Sequence, residues 1–285
     1  MLTAAGAGAS APFSGDAAFR HVERLVAIGP RVAGSPAGAK ARDYIVAELK
    51  KAGVEVRVEP FEADTPHGRL RMANVVAVVP GRRADVILVG GHYDTKWFSD
   101  RRFVGANDGG SSSGLLIELA RQLARTLPEF TYWIVFFDGE EARESWTATD
   151  SLYGSRRMAA ELSRSQRLPR AVIVVDMIGD RNLNIRREAF SSNALTDLIW
   201  AAAARLGHGQ HFLPSSMPVE DDHAPFLRAG VPAVLLIDFD FAPWHTGGDT
   251  LDTVSPRSLK IVGDVLLEAM PSIERWLLSS PLRRP

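Results

Sequence analysis

Two adjacent carboxylates, Glu140 and Glu141, follow the apolar run Phe130 to Phe137 across the dipeptide Asp138-Gly139. Neighbouring residues at a strand end point in different directions, so one glutamate can hold a metal while the other exchanges a proton with a substrate. An isolated Glu-Glu in a loop is ordinarily a solvated pair, and only further ligands elsewhere in the chain give it a different meaning. Such ligands are present: His92, Asp108 in the glycine-rich stretch Gly105-Ala106-Asn107-Asp108-Gly109-Gly110, Asp176, and His245 directly after Trp244. Together with Glu141 they supply the nitrogen and oxygen donors that zinc accepts in tetrahedral or five-coordinate sites. Taken singly, each loop Asp or His reads as a cap or a surface residue. Asp94, two residues after His92, is expected to orient that imidazole from behind. The chain has no cysteine, so any zinc must rest on imidazole and carboxylate.

The elements that must position these groups follow from hydrophobic periodicity. Helices are expected over Asp16 to Ile28 and Ala37 to Ala52, the second with Gly53 placed as its C-cap. Strands are expected over Val54 to Phe61, Met72 to Val79 and Asp85 to Gly90, with a turn at Thr65-Pro66-His67-Gly68. Further on come a helix Ser111 to Arg125, the strand Phe130 to Phe137, a helix Leu152 to Leu162 and a strand Ala171 to Asp176. A helix Asn193 to Leu206, a strand Ala233 to Ile237 and a long helix Pro256 to Leu278 complete the series. This alternation predicts one three-layer α/β/α domain over residues 16–285, with a mixed, largely parallel central sheet. In such sheets ligands gather at the carboxyl ends of the strands. That is where His92, the glutamate pair, Asp176 and His245 fall. The first fifteen residues read as a disordered leader.

Composition narrows the function classes. The 285 residues are 46% hydrophobic, with 33 Lys plus Arg against 34 Asp plus Glu and no basic run longer than two. This balance argues against nucleic acid or an anionic membrane surface as the main partner. No apolar segment approaches the ~20 residues of a membrane span.

The motifs Gly91-His92-Tyr93-Asp94, Gly105-Ala106-Asn107-Asp108, Asp138-Gly139-Glu140-Glu141, Asp176-Met177-Ile178-Gly179 and Trp244-His245-Thr246 resemble, in order, those of the zinc aminopeptidase family with a phosphorylase/hydrolase-like fold. Within it the chain is most similar to the metal-dependent glutaminyl cyclases, from about Gly34 to the C-terminus. Three stretches carry the closer resemblance: His92 to Phe98 leading to Arg102 to Ala106; Glu140-Glu141-Ala142 followed, after an insertion containing Trp146, by Asp150 to Arg156; and Asp221 to Pro232. The insertion discriminates best, because peptidase members usually pass almost directly from the paired glutamates to the Gly-Ser that opens the next helix.

The resemblance implies cyclisation of N-terminal glutamine to pyroglutamate with release of ammonia, at one zinc ion held by Asp108, Glu141 and His245. It implies Glu140 as the proton-transferring base and acid, with Asp176 and Asp221 in a carboxylate network beside it. Trp146, Trp244 and Phe241 (or Phe239) match pocket walls. Glu220 stands where glutamine is usual, and Leu235 where a histidine of the network is expected. Asn107 and the run Gly109 to Gly114 look more like a peptidase. The alternative is a two-zinc aminopeptidase, with His92 and Asp176 binding a second ion and Asp108 bridging. An inactive zinc-binding interaction domain is a further alternative. The expected partner is a peptide or protein with N-terminal Gln, acted on by a monomer, and the resemblance favours an extracytoplasmic location although the N-terminus carries no signal-peptide pattern.

Overall fold

The structure, a computed structural model, describes residues 12–279. The chain opens with two helices, α1 (Gly15–Ile28) and α2 (Pro36–Lys51). Ser14 caps α1 through its side chain, and Ser35 caps α2, with Pro36 opening the helix. The end of α2 is closed as expected: Gly53 takes φ +76° and its N–H bonds to Lys50, while the Val54 N–H bonds to Leu49. Residues 1–11 of the expected leader lie outside the described residues, but its last part is structured. Phe13 is 1% exposed, and its backbone N–H bonds to Asp264 at 3.1 Å.

Six strands form the central sheet: β1 (Glu55–Thr65), β2 (Gly68–Val79), β3 (Arg83–His92), β4 (Phe130–Phe137), β5 (Ala171–Asp176) and, at the far edge, a strand over Ala233–Ile237. The order is β1-β2-β4-β3-β5 followed by this last strand. The pairs β1/β2 and β2/β4 are antiparallel, and the remaining three pairs are parallel. The sheet is thus mixed and largely parallel, with an antiparallel hairpin at one edge. That hairpin is longer than its apolar residues suggest, because its tip is polar and held by cross-strand pairs such as Arg69–Asp64 at 2.9 Å.

Alternation along each strand divides the core in two. From β4, Phe130, Tyr132, Ile134 and Phe136 face a layer made of α1, α2, α3 (Gly110–Leu123), α5 (Asn193–Arg205) and α7 (Pro256–Ser279). Trp133, Val135 and Phe137 face the other layer, where α4 (Tyr153–Arg164) and α6 (Ala224–Arg228) pack. Besides two single-turn 3-10 helices, Gly209–His211 and Leu251–Thr253, three short elements are not marked by periodicity in the sequence. They are β6 (Ile185–Glu188), β7 (Phe212–Met217), which pairs with β6, and α6. The far-edge strand is therefore β8. β6 is four residues long and three of them are charged, and β7 contains Pro214 and two serines, so neither presents an apolar run.

Register aligns the functional ends. His92 lies opposite Phe137 across β3/β4, Gly90 opposite Val174 across β3/β5, and Asp176 opposite Ile237 across β5/β8. All four parallel strands therefore end along one edge of the sheet.

Candidate metal centre and active site

At that edge two groups of potential ligands meet. Asp108, Glu141 and His245 place one donor atom each within 4.8 Å of one another, and His92, Asp108 and Asp176 do the same. His245 Nε2 stands 3.1 Å from Glu141 and 3.4 Å from Asp108. His92 Nε2 stands 3.1 Å from Asp176 and 3.2 Å from Asp108. Asp108 is shared by both groups. Its buried Oδ2 makes no hydrogen bond, and the donor set is oxygen and nitrogen only, which suits zinc.

Local backbone geometry brings these side chains inward. Gly139, at φ +72°, turns the chain from β4 into the glutamate pair, and a Cβ there would lie 2.7 Å from the Met72 sulfur. Gly109, at φ +71°, follows Asp108 so closely against His92 that a Cβ would meet the imidazole at 2.9 Å. Two non-glycine residues of the site also occupy the left-handed region, Met177 (φ 47°) beside Asp176 and the candidate ligand His245 (φ 55°). Such conformations cost on the order of 1–3 kcal/mol each and persist only where the surroundings enforce them. Around His245 that enforcement is aromatic. Trp244 stacks on it at 4.2 Å between ring centroids, and Phe98 and Phe103 meet it edge-on at 5.9 and 5.8 Å.

Asp94 does something other than expected. Its carboxylate lies 3.5 Å from His92 Nδ1, which has no hydrogen-bond partner. Its bonds go instead to the backbone N–H groups of Glu140 (3.1 Å) and Glu141 (3.3 Å). Asp249, four residues after His245 and not singled out by the sequence, treats Asp108 in the same way: it accepts the N–H groups of Asn107 (2.7 Å) and Asp108 (3.1 Å). Each acidic loop of the site is therefore pinned by a buried aspartate from a neighbouring segment.

A cleft of about 500 Å³ opens beside these ligands, lined by Glu140, Glu141, Asp176, Asp221, Trp146, Trp244 and Phe239 among others. Trp146 and Trp244 are each 41% exposed, so they are walls rather than core. Phe241 departs from expectation: it is 3% exposed and packs in the α4/α6 core layer. Phe239, against Trp244 at 4.8 Å, takes the wall position. The segment after β8 is irregular, and the two rings end at different depths in one layer: Phe241 is buried in it, and Phe239, half-buried, packs against it from the cleft. Glu220 does not present a free charge to the cleft. It accepts the Trp146 indole N–H at 3.1 Å and pairs with Arg228 at 2.8 Å, and this bonding keeps its carboxyl below the usual range. Leu235, where a histidine was expected, is fully buried in β8.

The electrostatics suit proton transfer. Burial pushes the Glu140 carboxyl well above its ordinary value, opposed by the nearby imidazole of His92 and reinforced by the charges of Glu141, Asp221 and Asp222. Burial, with Asp176 close by, likewise raises Asp221 to about 7. A carboxyl raised above its ordinary range is better suited both to take up a proton and to return it. A further buried pair, Glu188–His223 at 3.1 Å, involves the residue next to Asp222 in the chain, and no sequence motif marks it. It joins β6 to the segment before α6, with Ser191 also bonded to Glu188 at 2.8 Å.

A sequence model of peptidase family M28 matches residues 74–270. The chain belongs to this family. Among M28-like relatives, the glutaminyl-peptide cyclotransferase of Bothrops jararaca is 31% identical over 280 residues, covering 83% of this chain and 75% of that protein. The crystal structure of an Acidobacteriales bacterium glutaminyl cyclase is 41% identical, with a TM-score of 0.91, and covers 97% of this chain and all of that one. A Zn-dependent exopeptidase from Parabacteroides distasonis is 27% identical, with a TM-score of 0.86, over 92% of this chain and 99% of its own. The M28 segment spans all the candidate ligands described above, from β2 into α7.

Proposed function

We propose that this protein is a zinc-dependent glutaminyl cyclase, converting the N-terminal glutamine of peptides to pyroglutamate with loss of ammonia. The observation that carries the reading is the pairing of a buried Glu140, its carboxyl raised above the ordinary value, with a cleft walled by exposed tryptophans, in a chain whose relatives include cyclases of both curated sequence and solved structure. The domain is read as a single catalytic unit and as a monomer in solution.

Asp108, Glu141 and His245 would hold the zinc ion, which supplies Lewis-acid polarisation of the glutamine side-chain carbonyl. The remaining chemistry belongs to the protein's own groups. Trp146, Trp244 and Phe239 confine the glutamine so that its α-amine faces its own side-chain carbon, a proximity effect that replaces a bimolecular encounter. Glu140 takes a proton from the α-amine as the new C–N bond forms. It then returns that proton to the side-chain nitrogen as its C–N bond breaks and ammonia leaves. Asp176 and Asp221, lining the same cleft, keep Glu140 in a field that favours its protonated state between these two transfers.

One observation favours a second reading. The His92, Asp108 and Asp176 group offers a further ligand set sharing Asp108, the arrangement a two-zinc aminopeptidase would use. Mass spectrometry of the zinc-loaded protein with two matched peptides, one beginning with Gln and one with Leu, separates the two. Loss of one ammonia from the Gln peptide alone supports cyclisation, and shortening of either peptide by one residue supports the peptidase.

A further inference from the structure

Arg31 lies in the link between α1 and α2, before the segment matched by the family model, and its side chain is completely buried. Among the described residues its guanidinium pairs with no carboxylate, and its three hydrogen bonds all go to backbone carbonyls. Nε donates to the carbonyl of Tyr93 at 3.0 Å, Nη1 to that of Val104 at 2.6 Å, and Nη2 to that of Gly105 at 2.9 Å. Tyr93 stands between His92 and Asp94, and Val104-Gly105 open the loop that ends at Asp108. One planar fork therefore ties the end of β3 to the Asp108 loop.

The other side of that loop is held by the opposite charge. Asp249 accepts the Asn107 and Asp108 N–H groups, one on each oxygen, and its own carbonyl accepts the N–H of Ala106 at 3.4 Å. Carbonyls at 104 and 105 thus point at a cation, and amides at 107 and 108 point at an anion. Burial lowers the Arg31 pKa to about 10, and the charges of Asp249, Asp108 and Asp94 counter it, so the guanidinium stays charged without a direct ion pair. Placing an unpaired guanidinium in the interior is costly. Loop tethering by apolar packing would avoid that cost but would not fix three carbonyl directions. A lysine would not either, because its ammonium is a point charge without the planar fork.

We propose that Arg31 and Asp249 are positioning residues of the metal centre, setting the aim of Asp108 from opposite sides of its loop. The inference rests on the reading of Asp108, Glu141 and His245 as zinc ligands. Outer groups that orient ligands typically change metal affinity by about 10–100-fold when removed.

The test measures zinc affinity of the full chain by competition with a chromophoric chelator, alongside melting of the metal-free protein, for wild type, Arg31→Lys, Asp249→Asn and Asp108→Ala. The expected result is that Arg31→Lys and Asp249→Asn still unfold cooperatively but bind zinc roughly 10–100-fold more weakly. An Arg31→Lys protein that melts earlier yet binds zinc as tightly as wild type overturns the proposal and makes Arg31 a structural anchor only. Where Arg31→Lys does not fold, Asp249→Asn decides: unchanged zinc affinity overturns the proposal, and weakened affinity supports it. Wild-type-like zinc binding by Asp108→Ala would instead overturn the ligand reading itself, an outcome distinct from failure of the Arg31 inference.

Discussion

Asp94 holds Glu140 by its backbone: the aspartate Oδ1 accepts the Glu140 N–H at 3.1 Å, and its Oδ2 accepts that of Glu141 at 3.3 Å. Both carboxylates of the pair therefore leave the sheet in fixed directions, one toward the ligands and one into the cleft.

Asp94→Asn tests this clamp. The amide keeps one acceptor and turns an NH₂ group toward a backbone N–H, leaving a buried donor unsatisfied at a cost of about 1–3 kcal/mol. The expected outcome is a lower unfolding midpoint and a fall in kcat on the order of tenfold, with KM little changed, because a misdirected Glu140 affects the proton transfer and not the pocket walls.

Glu140→Gln preserves shape but cannot carry a proton. Cyclisation should fall roughly 100- to 10,000-fold, while bound zinc, measured by atomic absorption, stays at the wild-type ratio because Glu140 belongs to neither ligand group. Loss of zinc along with activity would place Glu140 in the metal shell.

Trp146 is oriented by Glu220, which is itself paired with Arg228. Trp146→Ala should raise KM for Gln peptides by roughly tenfold, and Glu220→Ala by less. Glu220→Gln retains an acceptor for the indole N–H and should lie close to wild type. Steady-state kinetics on the three variants check this order.

Stability should depend on pH through Asp221. Its carboxyl is raised by burial, and then by Asp176, from 3.8 to about 7 in the folded protein. Between these values the folded state binds more protons than the unfolded chain, so stability falls as pH rises through that window and the contribution is lost above the folded pKa. Asp221→Asn removes this titration. Denaturant melts at about pH 5 and about pH 8 should show the variant gaining on wild type at the higher pH.

Much of this site could be read from the chain, for identifiable physical reasons. Buried strands advertise themselves as apolar runs, and in a parallel sheet each run points to a functional end, so His92, Glu140, Glu141, Asp176 and His245 could be gathered without coordinates. What stayed hidden was partnership through the backbone. The sequence shows Asp94 as a companion of His92 because side-chain spacing is visible there, whereas its bonds to two amides are not. Arg31 and Asp249 act on carbonyls and N–H groups distant in the chain, with no motif to mark them. The choice between Phe239 and Phe241 turned on the path of an irregular segment after β8, where no strand or helix period applies. Phe13 was assigned to a leader for its small-residue surroundings, but it fills a core position against α7, where a Cβ on Gly263 would lie 2.3 Å from its ring.

In the proposed reaction the substrate's own amine, and not water, attacks the glutamine side chain. Reaction of a Gln-initiated peptide in water enriched in heavy oxygen, followed by intact-mass analysis, tests it directly. The expected product is lighter by one ammonia and carries no solvent oxygen. A product of unchanged length that has gained heavy oxygen, or a peptide shortened by one residue with the label in the released amino acid, would contradict it.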